Sequence, residues 1–144
     1  MNAATQDVEF LIIDDNPGIS EFLATYLSRH GHTCAALNEG FRTAGWLQEN
    51  RCEVAIVDLH MPKVDGISLI TFIREMDATL PIIVFTGLGY DEERMHAALR
   101  AGANGYVSKN LPVAQLYCVL ARVLVTARQH ARRIHSRPAL LGAA

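Results

Sequence analysis

Five short, mostly apolar runs alternate with longer amphipathic segments along this 144-residue chain. Strands covered on both faces are apolar at consecutive positions, as these runs largely are. A segment with helical spacing follows each run, and Pro112 begins the last one. The alternation predicts an α/β fold, a three-layer sandwich in which helices cover both faces of a five-stranded parallel sheet. The predicted strands are Val8–Asp14, His32–Leu37, Val54–Asp58, Pro81–Thr86 and Gly105–Ser108.

Composition narrows the class of protein. The length fits one domain, and 50% apolar with 19% charged residues is ordinary for a globular protein. No apolar run approaches the ~20 residues of a membrane span, and the first residues lack the features of a secretory signal. Three cysteines without a paired spacing fit neither a disulfide framework nor a zinc site. We therefore expect a cytoplasmic protein that does not contact a membrane.

Charge is divided unevenly along the chain. All 15 acidic residues lie in residues 1–93 with 5 basic ones, which gives that part a net charge of −10. Residues 94–144 hold 8 basic residues and no acid, a net charge of +8. The net charge of −2 does not suggest nucleic-acid binding, and the segment from Arg128 to Arg137 is too short for a helix-turn-helix unit. We expect the basic third to be an interaction surface and not a DNA-binding element.

Polar side chains follow four of the five predicted strands. Asp14 and Asp15 end the first strand, Asp58 the third, Thr86 the fourth, and Lys109 follows the fifth. The carboxyl ends of parallel strands meet at one edge of the sheet, where ligands bind in open α/β folds. Three carboxylates at one edge repel each other unless a cation neutralises them. Oxygen ligands without cysteine favour Mg²⁺ or Mn²⁺ over zinc.

The same set of residues suits phosphoryl transfer, which needs mainly positioning and neutralisation of charge. An aspartate can act as the nucleophile and form an acyl phosphate, and Asp58 is the best candidate because it stands alone after an apolar strand. Each residue also has an ordinary interpretation. Asp14 and Asp15 could cap a helix, Thr86 could be a plain strand end, and Lys109 a solvated lysine.

With these positions the sequence resembles the receiver domains of two-component response regulators. The resemblance rests on Asp14-Asp15, the segment from Asp58 to Gly66, Thr86-Gly87 and Lys109, and covers roughly residues 7–125. It implies a flavodoxin-like, doubly wound sheet with strand order 2-1-3-4-5. It also implies a switch that accepts a phosphoryl group from a sensor histidine kinase or phosphotransfer protein, without turnover of a separate substrate.

Roles for individual residues follow from the resemblance. Asp58 is similar to the phospho-acceptor, and Asp14, Asp15, Asp58 and the backbone carbonyl of His60 are similar to the ligands of Mg²⁺. The catalytic set that the resemblance implies is Asp58, Thr86 and Lys109. Thr86 and Tyr106 match the hydroxyl and the aromatic side chain of the family's switch.

Two departures from the family pattern bear on this site. Asn110 follows Lys109 where the family usually has proline, often after a cis bond. A cis bond before a residue other than proline is costly, and the sequence leaves the state of this bond open. Leu88, two residues after Thr86, cannot position a water molecule through a hydrogen bond. We hypothesise a long-lived phosphorylated form, which a Leu88→Asn substitution would shorten.

The last helix extends beyond what one sheet face needs. Its apolar residues recur at steps of three and four, from Leu116 and Leu120 to Ile134. We expect a receiver domain at residues 7–127, and a helix extension with a basic, flexible tail at 128–144. The extra apolar stripe suggests a homodimer through this helix. Output is expected to pass to a downstream protein effector.

Two other functions fit the fold class. A haloacid-dehalogenase-type phosphatase also uses an aspartyl nucleophile with Mg²⁺, but it needs a second acid at the position of His60. A flavin-binding electron carrier needs a first turn that cradles phosphate, whereas Asp14 and Asp15 would repel one.

Overall fold

A computed structural model of the chain describes residues 5–87 and 91–135. Its five-stranded sheet is parallel throughout, as the sequence pattern predicts, and the strand order is the one that the resemblance implies. Two further strands of two residues each form a separate antiparallel hairpin, which the apolar pattern did not predict. In chain order the strands are β1 (Asp7–Ile13), β2 (Cys34–Leu37), β3 (Arg51–Val57), the hairpin strands β4 (His60–Met61) and β5 (Val64–Asp65), β6 (Ile82–Thr86) and β7 (Gly105–Ser108). The sheet order is β2-β1-β3-β6-β7, which is the order 2-1-3-4-5 when the two hairpin strands are left out of the numbering.

In the described residues four α-helices connect the strands and a fifth follows β7, as predicted. They are α1 (Pro17–Arg29), α2 (Thr43–Glu49), α3 (Gly66–Met76), α4 (Glu92–Ala101) and α5 (Val113–His135). A short 3₁₀ helix at Gly40–Arg42 precedes α2. No helix in residues 5–87 or 91–135 is long and apolar enough to cross a membrane.

Two apolar cores lie on opposite faces of the sheet. Alternate residues of β1 point to opposite sides, so Leu11 and Ile13 join one core and Phe10 and Ile12 the other. Helices α2, α3 and α4 pack on the first face, and α1 and α5 on the second. Burial on both faces explains why the strands read as continuous apolar runs.

The turn into α3 is fixed by a close contact. A Cβ on Gly66 would lie 2.4 Å from the Cα of Leu59, so only glycine fits there without backbone movement. Asp65 then caps the helix by accepting hydrogen bonds from the amides of Ile67 and Ser68. This packing anchors the hairpin next to the end of β3.

Candidate functional site

Three carboxylates converge at the carboxyl edge of the sheet. Ligand oxygens of Asp14, Asp15 and Asp58 all lie within 4.8 Å of one another. The strands bring them together, because β1 and β3 are neighbours and the Asp58 amide donates to the Ile13 carbonyl at 3.0 Å. Asp14 and Asp58 are buried, with 3% and 4% of their surface exposed, and Asp15 is half-buried. The predicted acidic cluster is therefore present as a compact group.

Lys109 reaches into this cluster from the loop after β7. Its Nζ lies 2.7 Å from Asp14 Oδ2 and 3.5 Å from Asp58 Oδ2. Its own amide donates to the Thr86 carbonyl at 2.8 Å, which ties the loop to the end of β6. The ammonium also lies 5.8 Å from the centre of the Phe85 ring, a favourable cation–π distance. The lysine is thus held against the carboxylates instead of extending into solvent.

The surroundings of Asp58 oppose its ionisation. Burial raises the pKa of this carboxyl above its ordinary value, and the nearby charge of Asp14 adds to the effect. The His60 amide, which donates to Asp58 Oδ1 at 3.2 Å, and the Lys109 ammonium act in the other direction but do not cancel it. One ammonium for three carboxylates leaves negative charge at this edge. The donor set therefore fits a hard divalent cation such as Mg²⁺.

Thr86 and Tyr106 lie on adjacent strands and on the same face of the sheet. In the pairing of β6 with β7, Thr86 lies beside Ser108 and Val84 lies beside Tyr106. The side chains of Thr86 and Tyr106 are therefore offset by two residues along the strands. Thr86 is fully buried, whereas Tyr106 is half-buried. The Tyr106 hydroxyl is buried and has no hydrogen-bond partner within the described part of the chain. Burial raises the pKa of Tyr106, and the charge of Asp91 contributes.

Asn38 supports the site, and sequence reasoning missed it. Its side-chain amide donates to the Asp14 carbonyl and to Ser20 Oγ, both at 2.9 Å. The Asn16 amide in turn donates to Asp14 Oδ1 at 2.9 Å. These bonds fix the backbone and one oxygen of Asp14. Its position in the sequence could have indicated this role. Asn38 directly follows β2, just as the acidic residues of the site follow β1 and β3.

The structure describes two of three other positions that the sequence singled out. The Lys109–Asn110 bond is trans, and the Asn110 amide donates to Ser108 Oγ at 3.1 Å, a hydrogen bond that proline cannot make. The His60 side chain is exposed, and its amide faces Asp58. Leu88 lies outside the described residues.

Comparison with known proteins agrees with this geometry. The family model described as response regulator receiver domain matches residues 10–121. The chain belongs to this family. A receiver-domain assignment accounts for the strand order and the acidic edge together, and the chain is homologous to response regulators and to the receiver domains of sensor kinases.

Individual relatives support the assignment. The transcriptional regulatory protein PrrA of Mycobacterium tuberculosis is 30% identical over 129 residues, which are 90% of this chain and 54% of that protein. The sensor histidine kinase RcsC of Escherichia coli is 32% identical over 103 residues, 72% of this chain and 11% of the kinase. The solved receiver domain of NtrX from Brucella abortus superposes with a TM-score of 0.75 at 25% identity, covering 82% of this chain and 99% of that one. The chain spans about half the length of PrrA and a small part of RcsC.

Proposed function

We propose that this chain is a phosphorylation-activated signalling switch in which Asp58 accepts a phosphoryl group. The donor is a sensor histidine kinase or a phosphotransfer protein, and the phosphorylated domain changes the face that binds its partner. The observation that carries the proposal is the cluster of Asp14, Asp15 and Asp58 around a lysine ammonium at one sheet edge. Membership of the receiver family supports the same function.

Asp58 is the nucleophile in this proposal. A carboxylate oxygen of Asp58 forms a bond to phosphorus while the bond from phosphorus to the donor imidazole breaks, and the electron pair stays on that imidazole. Attack requires the ionised carboxylate, which the His60 amide and Lys109 favour. Lys109 already lies between Asp14 and Asp58, so it can pair with the new phosphoryl oxygens after a short movement.

The residues at this edge fit Mg²⁺ or Mn²⁺. We propose that Asp14, Asp15, Asp58 and the His60 carbonyl hold the ion. When bound, the ion neutralises charge on the phosphoryl oxygens and on the carboxylates. Asn38 and the Asn16 amide keep Asp14 in place for this role.

Thr86 and Tyr106 carry the switch in this proposal. The added phosphoryl charge of about −1.5 to −2 attracts the Thr86 hydroxyl and Lys109. Movement of Thr86 makes room beside it on the same sheet face, where Tyr106 lies. The buried Tyr106 hydroxyl lacks a partner in the described ranges, so its present position is not strongly favoured. A shift of Tyr106 would alter the surface formed by α4, β7 and α5.

We further propose the setting in which this switch works. The receiver domain occupies residues 7–127, and residues 128–144 form a helix extension with a basic tail, whose last part lies outside the described residues. The domain acts in the cytoplasm on a downstream protein effector, without membrane or direct nucleic-acid contact. It turns over no separate substrate, and it forms a homodimer through α5.

Intact mass after incubation with acetyl phosphate and Mg²⁺ tests the proposal. We expect one phosphate adduct in the wild-type protein and in Asp7→Ala, which removes an exposed carboxylate at the other end of β1. We expect no adduct in Asp58→Ala or when a chelator removes the metal ion. An adduct that survives in Asp58→Ala would contradict the proposal. Steady hydrolysis of a generic phosphomonoester would favour the phosphatase instead.

A further inference from the structure

The C-terminal half of α5 forms one wall of a groove at the amino edge of the sheet. The groove encloses a cavity of about 660 Å³. Its body wall includes Cys52, Pro81 and Asn104, which stand at or just before the amino ends of β3, β6 and β7. The opposite wall is α5 itself, from Arg122 to Ile134. The acidic cluster lies at the other end of the strands, so the groove and the phosphoryl site share no residue.

The helix wall carries an apolar stripe that continues along several turns. Val123, Ala127, Ala131 and Ile134 all line the groove, and they recur at steps of four, four and three residues. This spacing places them on one face of α5. Residues 123–134 span roughly 18 Å, about three helical turns, and the small alanine side chains leave room at the middle of the stripe. A second helix of about three turns can pack along such a face.

Ile134 shows that this stripe is open to a partner. It lines the groove and is 55% exposed. Val125 on the same helix is equally exposed, at 54%, but does not line the groove. The two residues therefore distinguish the groove face of α5 from the rest of its surface.

The helix wall is held in place by an ion-pair network. The Arg128 guanidinium donates to both oxygens of Glu53, at 2.8 and 2.9 Å, and to Glu9 at 2.7 Å. Glu9 also accepts from the Thr33 amide. A bidentate pair of this kind fixes direction as well as distance. The groove is therefore preformed and does not depend on a ligand to open it.

Positive charge predominates along the helix wall. Residues 94–144 hold eight basic residues and no acid, and Arg122 and His130 of this segment line the groove. Arg122 is exposed and makes no ion pair in residues 5–87 and 91–135. On the body wall Glu53 is already paired with Arg128. Asp77 is the other acid there, and one of its oxygens accepts hydrogen bonds that close its own turn. The helix wall thus complements an acidic ligand.

We propose that the groove binds an amphipathic helix of a partner protein, with apolar side chains on its contact face and carboxylates beside them. Two or three apolar side chains of that helix pack on Val123, Ala127 and Ile134, and its carboxylates pair with Arg122 and with the basic end of α5. The partner helix contacts no residue of the phosphoryl site. The groove therefore holds its partner whether or not Asp58 is phosphorylated, and the inference does not depend on phosphoryl transfer.

The charges favour this occupant over two others. The α5 helix of a second copy contains no acidic residue, so it cannot supply the carboxylates that pair with this wall. A nucleic acid would place backbone phosphates against Glu53 and Asp77 on the body wall as well as against the cations. An acidic helix can keep its carboxylates on the α5 side alone.

Fluorescence anisotropy of a labelled model peptide tests the partner chemistry. The peptide is a helix of about four turns, with leucine at every third or fourth position and glutamate on both flanks. We expect the full chain to bind it, and to bind it less tightly as salt screens the charges. A matched peptide with lysine in place of glutamate should bind at least about tenfold more weakly. No binding of the glutamate peptide, or equal binding of both peptides, would overturn the proposal.

Paired variants test the surface. Ile134→Ser should weaken binding of the glutamate peptide at least about tenfold, whereas Val125→Ser should leave it unchanged. Both positions are exposed, so both variants are expected to fold. Arg122→Gln should weaken binding roughly threefold at low salt, whereas Arg100→Gln, at the end of α4 and outside the groove, should not. Equal effects within either pair would place the peptide elsewhere and contradict the proposal.

Three further measurements separate the alternatives. In sedimentation of the chain alone, a dimer that Ile134→Ser abolishes would show that a second copy fills the groove. An oligothymidine that binds as tightly as the glutamate peptide, with the same loss in Ile134→Ser, would show a nucleic-acid site. Either result would overturn the proposal. Asp58→Ala should bind the peptide like the wild type although it takes up no phosphate, so failure of the groove and failure of the phosphoryl switch are distinct outcomes.

Discussion

The carboxylate of Asp58 lowers the stability of the domain at neutral pH. Burial, with the charge of Asp14, raises the pKa of Asp58 above 3.8, so the folded state binds more protons than the unfolded state as pH rises past that value. Stability therefore falls with rising pH over this window. Removing the charge should reverse that loss.

We predict that Asp58→Asn stabilises the domain at pH 7 by on the order of 1 kcal/mol, the usual scale of a single substitution. The gain should shrink as the pH is lowered from 7 to 4, because the wild-type carboxyl is protonated to a greater extent at lower pH. Urea unfolding of both proteins at the two pH values measures this. A variant that is less stable at pH 7, or a gain that does not depend on pH, would show that hydrogen bonds to Asp58 outweigh its desolvation.

The buried hydroxyl of Tyr106 also lowers the stability of the folded domain. It is buried, and the described residues offer it no hydrogen-bond partner. An unsatisfied buried hydroxyl costs about 1–3 kcal/mol, so we predict that Tyr106→Phe leaves stability unchanged or raises it by about 1 kcal/mol.

Tyr117→Phe provides a matched control for this prediction. The Tyr117 hydroxyl lies 3.0 Å from His32 Nε2 in a hydrogen bond, so its removal should destabilise the domain by about 1 kcal/mol. Chemical unfolding of both variants should give opposite signs. Equal destabilisation would indicate that Tyr106 has a partner in the protein in solution.

At the scale of the elements, the apolar pattern predicted the five sheet strands and the five helices because burial on both faces leaves a clear signal. The hairpin of β4 and β5 could not be predicted in this way, because strands of two residues are too short to show a repeating pattern of apolar residues. The network around Arg128 was also missed, because its partners Glu53 and Glu9 lie 75 and 119 residues away in sequence. Long-range pairs of surface charges follow from tertiary packing and not from local pattern.

We predict that Arg128→Ala loosens the last turns of α5. The substitution removes three hydrogen bonds to Glu9 and Glu53 and should cost about 1 kcal/mol, since the pairs form a network and the arginine is only partly exposed. Amide hydrogen exchange should become faster in residues 125–135. The control is Arg122→Ala, an exposed arginine on the same helix for which exchange should not change.

The same network gives a pH dependence. Burial raises the pKa of Glu9, but hydrogen bonds from Thr33, His32 and Arg128 outweigh it and lower the pKa overall. A lowered pKa contributes stability above the unfolded value of about 4.5 that is lost as pH falls through the folded value. The wild type should therefore be more stable than Arg128→Ala above pH 4.5, and this difference in stability should decrease as the pH falls below that value. A difference in stability that is the same at all pH values would show that the ion pair of Arg128 with Glu9 does not contribute to it.

At the scale of the whole molecule, the parallel sheet collects residues from distant parts of the chain at one edge. That is why the acidic cluster and Lys109 could be predicted from strand ends alone. Asn38 and the Phe85 ring under Lys109 could not, because hydrogen-bond partners and ring contacts depend on side-chain directions that the pattern does not contain. The last turns of α5 lie at the opposite, amino edge of the sheet, where Arg128 meets Glu9 and Glu53, and their place is also a property of the packed structure.

The distance between the two edges predicts that they respond separately to phosphorylation. A seven-residue strand such as β3 spans roughly 20 Å, whereas charges in physiological salt are screened over about 8 Å. Phosphorylation of Asp58 should therefore change amide exchange around β6, α4 and β7 and leave residues 125–135 unaltered. Exchange measured with and without acetyl phosphate, in the wild type and in Asp58→Ala, tests this. A phosphorylation-dependent change in residues 125–135 that disappears in Asp58→Ala would show that packing along α5 carries the signal where electrostatics does not reach.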